Sequence, residues 1–437
     1  MNLPQILSLI LLVVILVLAV WRHVNIGLLG FSAAAIMVMA TTAIADGSDI
    51  NIVLSSKDVL SHFPGAIVTL LIGVSLLFAH LEKSGGLSWF TDQIYAKMGH
   101  RTNIVPWIGY FIGFAISTAG AFSTASITLL VPVIAALGRK HPRLFFICEM
   151  AAIIGANTGA LSPINPTGQV ILDAAKKAHV EYSPWLVWFL GMLISFVLVI
   201  ALQIVFQDKR VVETSDSKAP EKGFVLLKPI KQENGDNHQL QPFYAICSTI
   251  AVLIFLILVI FAKANVGLTA LTLAVIMMLF FTQQSKDFVK KIPWNAVVVI
   301  SGLLVFIGTM MQVDTMKAVE QGLLSMTSSK IALLFMLAYL TTFLSNVESS
   351  TLGVISLMIP MVFTIFGDSP QISLILTACA APAMLSVVNP IHIAGTLVVS
   401  VTEEKQQEMM FKRLLIIAFA TVPFFPGLAM IVPALMM

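Results

Sequence analysis

Four segments place small polar residues, glycine and proline in the middle of long apolar stretches. Two are turns rich in Ser, Thr and Asn, at 117–124 and 345–351. The other two, 155–168 and 382–395, contain prolines and glycines that are expected to interrupt a helix. A helix that begins inside a membrane offers free N–H groups that suit a carboxylate, and one that ends there offers carbonyls that suit a cation. These segments could therefore bind an anion and a cation together without a buried Lys or Arg.

The apolar stretches around these segments indicate a membrane protein. Of the 437 residues, 58% are hydrophobic and 11% are charged, whereas soluble domains carry about 25% charged residues. Apolar blocks of about 20 residues can cross the hydrocarbon core as helices. We therefore predict an all-α polytopic membrane protein. Its three cysteines have no metal-ligand spacing and are expected to be small buried hydrophobic residues.

The apolar blocks predict ten spanning helices, five in each half of the chain. The predicted spans of the first half are 4–20, 26–45, 65–81, 143–170 and 184–206. Those of the second half are 242–262, 266–282, 294–312, 371–400 and 411–434. The stretches 103–138 and 331–366 are each too long for one helix and are interrupted near the middle, so we predict that each forms a re-entrant hairpin. Residues 84–102 are predicted to be an amphipathic arm at the membrane interface.

Short matches recur in the same order in the two halves. Asn25–Leu28 pairs with Asn265–Leu268, and Leu130–Val133 pairs with Met358–Met361. The pairs Asp58 with Pro64 and Asp287 with Pro293 share one spacing, and Leu161–Pro166 pairs with Leu385–Pro390. Because each half has five spans, an odd number, the second copy is predicted to be inverted in the membrane. Inverted repeats are typical of secondary transporters, which bind substrate between the repeats.

The matches give the predicted domain organisation. Residues 1–206 form the first inverted repeat, with hairpin 103–138 and broken helix 143–170. Residues 207–241 form a polar linker. Residues 242–437 form the second repeat, with hairpin 331–366 and broken helix 371–400.

The distribution of positive charge predicts the orientation. If both hairpins are re-entrant, one face of the membrane receives 19 of the 25 Lys and Arg residues and the other face receives six. The positive-inside rule assigns the richer face to the cytoplasm. We therefore expect a multi-pass protein of the cell's inner (plasma) membrane, with a cytoplasmic linker and both termini outside the cytoplasm.

At its interrupted segments the sequence resembles the ion transporter superfamily, in particular the divalent-anion/sodium symporters and the malonate-type dicarboxylate carriers. Those families carry a Ser-Asn-Thr motif at each hairpin tip and a Thr-Pro-x-Asn-like motif in each broken helix. The tips here read Ser117-Thr118-Ala119 and Ser345-Asn346-Val347. The broken helices read Ser162-Pro163-Ile164-Asn165 and Ser386-Val387-Val388-Asn389. The resemblance implies a homodimer in which a transport domain of hairpins and broken helices slides as an elevator against a fixed scaffold.

The interrupted segments and the resemblance together give the candidate site. The residues expected to contact the substrate are Ser117, Thr118, Ser162, Pro163, Asn165, Thr167, Ser345, Asn346, Ser386, Asn389 and His392. The residues expected to take part in ion coupling are Ser117, Asn157, Gly159, Asn346, Glu348 and Ser349. The coupling ion is expected to be Na⁺ or H⁺, with no other cofactor and no metal beyond Na⁺.

Three ionisable residues in the apolar segments are candidates for function, because such groups are costly in a membrane. Glu348 could carry a proton, bind a cation, or be a solvated residue of the second tip. Glu149 is expected to pair with Arg143 or Lys140. His392 could contact the substrate or be a hydrogen-bonded packing residue.

The leading prediction is symport of a small di- or tricarboxylate with Na⁺ or H⁺, by a protein that sits in the lipid bilayer and binds no nucleic acid. The alternative is a cation/proton antiporter without an organic substrate, in which Glu348 and Glu149 would be the exchanging groups. An enzyme is disfavoured, because the sequence has neither a Gly-x-Ser-x-Gly elbow nor a His-Glu-x-x-His helix.

Overall fold

The computed structural model describes residues 2–22, 24–45, 53–86, 104–140, 142–206, 241–327, 329–347, 351–385, 388–390 and 392–436, and these fold into α-helices joined by turns. The helices of the first half are α1 Leu3–Arg22, α2 Ile26–Ala45, α3 Ser56–Ser61, α4 Gly65–Lys83, α5 Val105–Thr118, α6 Ser123–Lys140, α7 Pro142–Gly159, α8 Pro166–Ala178 and α9 Pro184–Phe206. Those of the second half are α10 Pro242–Ile260, α11 Val266–Phe280, α12 Phe288–Lys291, α13 Trp294–Gln312, α14 Thr315–Met326, α15 Lys330–Val347, α16 Thr351–Phe366, α17 Ile372–Leu385, α18 Ile393–Val401 and α19 Glu404–Met436.

Helix length and composition confirm the polytopic all-α prediction. Among the described residues, six helices are long and apolar enough to cross a membrane. The outer helices expose large apolar side chains, such as Ile204 on α9, Phe243 on α10 and Phe424 on α19. Exposed apolar side chains of this kind suit contact with lipid. The predicted interfacial arm, 84–102, and the linker, 207–241, lie almost entirely outside the described residues.

The interruptions fall within the predicted segments but are narrower than expected. The first break spans 160–165, between α7 and α8, so helix α7 continues through Gly155 to Gly159. A methyl group on Gly155 would overlap the backbone of Tyr110 on α5, which shows that this glycine serves close packing and not a break. Pro382 likewise lies inside α17, because its helix ends only at Leu385. The tenth predicted span, 411–434, is part of the longer helix α19.

Two pairs of helices join the halves of the chain through glycine contacts. Helix α2 packs on α13, and α4 packs on α11. Gly27 and Gly302 touch through their backbones at the first crossing, and Gly73 meets Gly267 at the second. Small residues let helix backbones approach closely in membranes. We call α1, α2, α4, α10, α11 and α13 the scaffold helices.

The remaining long helices surround the interrupted segments. Helices α5 and α6 form the first hairpin, and α15 and α16 the second. Helices α7 and α8 form the first broken helix, and α17 and α18 the second. The hairpins and broken helices of opposite halves are in contact, because α16 packs on α8 and α18 packs on α6.

Candidate substrate and ion site

In the first half, one cluster of hydrogen bonds ties the hairpin tip to the broken helix. Asn165 Nδ2 donates to the carbonyl oxygens of Ser117 and Ala121, both at 2.8 Å, and its Oδ1 accepts from the N–H of Thr167. Ser162 Oγ donates to the carbonyl oxygen of Thr118 at 3.0 Å. Asn165 is therefore the N-cap of α8 and the anchor of the tip at once. We call Ser117, Thr118, Ser162 and Asn165 the first frame.

The second half builds the same arrangement from different side chains. His392 Nε2 lies 2.7 Å from the carbonyl oxygen of Ser345, and His392 stands at the N-cap position of α18. Asn389 Nδ2 donates to the carbonyl oxygen of Asn346 at 2.6 Å. Ser345 Oγ donates to the carbonyl oxygen of Ala383 at 2.8 Å. We call Ser345, Asn346, Asn389 and His392 the second frame.

These contacts correct the sequence matching of the two broken helices. The sequence matched Asn165 with Asn389, but the bonds to the tips match Asn165 with His392 and Ser162 with Asn389. In this register Ser162-Pro163-Ile164-Asn165 is equivalent to Asn389-Pro390-Ile391-His392, and Gly168 is equivalent to Gly395. Each of these glycines lies against the backbone carbonyl six residues earlier, where a side chain would not fit. The shared Pro-Ile pair followed by glycine is the signal that would have given the correct register.

A cavity of about 230 Å³ lies between the frames and a scaffold helix. Residues at the start of five helices line this cavity. Each of them lies in the first turn of its helix or immediately before that turn. These residues are Phe122, Ser123 and Thr124 at α6, Thr167 at α8, Pro293, Asn295 and Ala296 at α13, Thr351 and Leu352 at α16, and His392 and Ala394 at α18. Free backbone N–H groups and partial positive charge gather where helices begin. The described lining contains no Lys, Arg, Asp or Glu, so these helix starts are the main source of positive potential in the described cavity wall.

Two buried side-chain atoms, one on the cavity wall and one in the second frame, have no hydrogen-bond partner. Asn157, 3% exposed, lines the cavity, and its Nδ2 is unpaired. Asn346 is fully buried, and although its Nδ2 donates to the carbonyl oxygen of Thr342, its Oδ1 is unpaired. Buried polar groups are normally satisfied, so an unpaired donor and an unpaired acceptor here suit an anionic and a cationic ligand.

A second cavity, of about 270 Å³, adjoins the first and shares Phe122, Thr124 and Pro293 with it. It extends along α4, past Val74 and Phe78, to Glu82. At its rim the Nζ of Lys291 lies 3.0 Å from Glu82 Oε1. The two cavities together form a path from the frames to the end of α4.

The structure divides the sequence-predicted site residues into two groups. Asn157, Thr167 and His392 line the first cavity. Ser117, Thr118, Ser162, Asn165, Ser345, Asn346 and Asn389 belong to the frames behind it, and Pro163 and Gly159 lie within the same packed region. Glu348, Ser349 and Ser386 lie outside the described residues.

Sequence reasoning missed the contribution of the scaffold. Asn295 lines the cavity near the start of α13, where its side chain accepts a hydrogen bond of 2.5 Å from Asn25 Nδ2. The matched segment of the first half, after Pro64, has Gly65 and Ala66 where the second has Trp294 and Asn295. This difference between the matched segments was the feature of the sequence that could have indicated a role for Asn295.

The expected pairing of Glu149 with Arg143 or Lys140 is wrong. Glu149 is fully buried on α7, and neither carboxyl oxygen has a hydrogen-bond partner. The physical reason is that Glu149 is almost two helical turns from the start of α7, among side chains of a buried hydrophobic cluster that includes Phe145 and Ile153.

The fold is that of an all-α multi-pass membrane protein with a cavity between helices of its two halves. The chain is similar to a solved structure, the YdaH transporter of Alcanivorax borkumensis, described as having an unusual topology. The similarity covers 98% of this chain and 97% of that one, with a TM-score of 0.54 and 13% sequence identity, and it shows the fold.

The family follows from the sequence itself. A family model described as a citrate transporter, CitMHS, matches residues 14–381. The chain therefore belongs to this citrate transporter family, which confirms the resemblance to the ion transporter superfamily. It is a secondary transporter of carboxylates and not an enzyme. Comparison with curated protein sequences gives no match.

Proposed function

We propose that this protein symports a small di- or tricarboxylate, with citrate as the first candidate, together with Na⁺ or H⁺. The observation that carries the proposal is the convergence of five helix starts on one cavity without a charged residue in its described lining. Carboxylates accept hydrogen bonds from backbone N–H groups at helix N-termini. Several carboxylates on one substrate could then be bound by several helices.

Transport assays with purified protein in proteoliposomes test this proposal. Labelled citrate, shorter dicarboxylates and a monocarboxylate are offered while a Na⁺ gradient and a pH gradient are imposed separately. We expect uphill accumulation of a di- or tricarboxylate with one of the gradients. Proton-driven cation exchange without any carboxylate uptake would support the antiporter alternative instead.

The cation is proposed to bind beside the second frame. Asn346 Oδ1 is a buried oxygen without a partner, and oxygen is the ligand that Na⁺ requires. Asn157 was expected to couple the ion, but its unpaired atom is an N–H donor on the cavity wall. We therefore assign Asn157 to the carboxylate and Asn346 to the cation.

Glu348, two residues beyond Asn346, is the ion-coupling residue proposed for the second tip. If Glu348 carries a proton, uptake rises as external pH falls, and Glu348→Gln loses uphill accumulation but keeps substrate exchange. If Glu348 binds Na⁺, Glu348→Gln raises the Na⁺ concentration for half-maximal uptake and leaves the pH response as in the wild type. Uphill transport by Glu348→Gln with unchanged dependence on both ions would exclude both roles.

We propose an elevator mechanism in which the hairpins and broken helices move together against the scaffold helices. The support is that the cavity lies between the two groups, with Asn295 and Ala296 on the scaffold side and Leu352 and Ala394 on the other. In a background without Cys148, Cys247 and Cys379, a cross-link between Ala296→Cys and Leu352→Cys should stop transport until it is cleaved. The matched pair Ile127→Cys and Ala394→Cys, both within the moving group, should permit transport when cross-linked.

The positive-inside distribution supports a cytoplasmic linker, with both termini outside the cytoplasm, in the plasma membrane. On this orientation the path along α4 to Glu82 opens to the cytoplasm. Cysteines introduced between residues 207 and 241 should react only with reagents on the cytoplasmic side of intact cells. Reaction from outside would reverse the orientation. The homodimer that the resemblance implies is tested by the mass of the protein in detergent.

A further inference from the structure

Glu149 is a buried carboxyl group that no contact of the site uses. It is 0% exposed, and both of its carboxyl oxygens lack hydrogen-bond partners. Its neighbours on α7, among them Phe146, Ala152 and Ile153, belong to a hydrophobic cluster that also contains residues of α5, α6, α18 and α19. An ionised carboxylate in such surroundings has neither water nor a counter-charge, so it is stable there only when it holds a proton.

The helices around Glu149 bring no hydrogen-bond partner to this carboxyl group. Helices α5, α6, α9 and α17 pack on α7. The titratable or cationic residues of these helices, of α7, and of α18 with its N-cap and α19, which also contribute to the cluster, are Tyr110, Arg139, Lys140, Arg143, Cys148, Cys379, His392, Glu404, Lys405, Glu408, Lys412 and Arg413. Tyr110 is bonded to Ser195 at 2.6 Å, and Arg413 lies over the ring of Phe146 at 4.2 Å. None of these groups forms a hydrogen bond with Glu149.

Helix α7 connects Glu149 rigidly to the substrate cavity. Asn157, on the cavity wall, follows Glu149 by eight residues, or about 12 Å along the helix. Between and beyond them, Gly155 and Gly159 lie against the backbones of Tyr110 and Phe114 on α5, with no room for a side chain. Glu149 and the cavity residue Asn157 therefore belong to the same closely packed helix pair, α5 and α7. A change of charge at Glu149 acts on the helix that lines the substrate cavity.

We propose that Glu149 is a proton-binding site of the first broken helix, separate from the cavity and from the hairpin tips, and that its loading couples a pH gradient to carboxylate transport. One proton from water joins the carboxylate, whose charge changes from −1 to zero, and release reverses that step. Loading removes a buried negative charge from the moving body, which makes its passage through the membrane less costly. This proposal rests on the proposed carboxylate symport.

The test combines a spectroscopic measurement on the protein alone with transport. Infrared difference spectra between acidic and alkaline pH should show the carbonyl stretch of a buried carboxylic acid, which Glu149→Gln removes and the exposed control Glu408→Gln retains. In proteoliposomes, Glu149→Gln should keep carboxylate binding and carboxylate exchange, while accumulation driven by a pH gradient falls at least about tenfold. Glu408→Gln should transport like the wild type.

The outcomes separate this proposal from the proposed function. Accumulation by Glu149→Gln with an unchanged pH profile would overturn the proton site, although carboxylate symport would stand. Absence of the carboxylic acid band in the wild type would also overturn it, even if the variant could not be purified. Failure of the wild type to bind or move any carboxylate would refute the proposed function, while the band alone would still report proton binding at Glu149.

Discussion

The two frames tie their hairpin tips to their broken helices through corresponding hydrogen bonds but use their polar groups differently. In the first frame Asn165 bonds to the carbonyls of Ser117 and Ala121 and to the N–H of Thr167, so its amide is fully engaged with backbone. In the second frame Asn346 keeps an unpaired buried oxygen, and His392 lines the cavity. We therefore expect the first frame chiefly to hold the tip, and the second frame also to offer groups to ligands.

The largest effect is expected at the anchor of the first frame. Asn165→Ala removes the hydrogen-bond donor for two buried carbonyl groups. Each carbonyl left unpaired lowers the free energy of unfolding by about 1–3 kcal/mol. We expect a clear loss of thermal stability and at least about tenfold lower citrate uptake. Asn265→Ala, which removes a helix cap in the scaffold, is the matched control and should cost only about 1 kcal/mol. Uptake by Asn165→Ala at the level of this control would show that the anchor is dispensable.

The next prediction contrasts corresponding residues of the two tips, Asn346 and Thr118. Losing a hydrogen-bonding group to a charged partner costs about 1.5–3 kcal/mol, so Asn346→Ala should raise the concentration of the coupling ion for half-maximal uptake by about tenfold or more. Thr118 Oγ1 is occupied by Trp188 Nε1 at 3.1 Å, so Thr118→Ala should leave ion dependence within about twofold. Equal effects of the two variants on ion dependence would remove the functional difference between the frames.

A smaller effect is expected when the second frame receives the residue of the first. The amide of His392→Asn ends short of the position of the imidazole Nε2, so its bond to the Ser345 carbonyl is lost or weakened, and thermal stability should fall by about 1 kcal/mol. Because His392 also lines the cavity, the citrate concentration for half-maximal uptake should rise by about threefold to tenfold. Unchanged citrate affinity would make His392 a packing residue.

The smallest effect is expected at Thr167, whose counterpart in the corrected register is Ala394. Both residues line the cavity, but only Thr167 has a hydroxyl group to offer. Thr167→Ala removes one hydroxyl group, whose bond to the carboxylate a water molecule can replace in the vacated space. The net cost should be about 1 kcal/mol, which corresponds to a rise of about fivefold in half-saturating citrate. If the uptake titration showed a rise of more than about a hundredfold in half-saturating citrate, Thr167 would be a central residue of the substrate site.

The sequence alone was sufficient to predict the fold class and the places where helices are interrupted. Blocks such as Pro184–Phe206 are so uniformly apolar that a membrane helix follows from composition and length. The break between α7 and α8 was expected because Pro163 and Pro166 cannot both continue a helix. Glycine was the weaker guide, since Gly155 and Gly159 lie within α7 and serve its contact with α5.

The tertiary structure decided which residue of a break does what. Asn165 and Asn389 are the same residue type before a similar hydrophobic segment, yet the bonds to the two tips make His392 the counterpart of Asn165. Sequence also could not foresee that Asn295 of the scaffold would reach the cavity, or that Glu149 would remain without a partner. A short sequence pattern fixes whether a helix is interrupted, because that depends on local backbone geometry. Hydrogen-bond partners and burial depend on segments far apart in the chain, and only their packing brings those segments together.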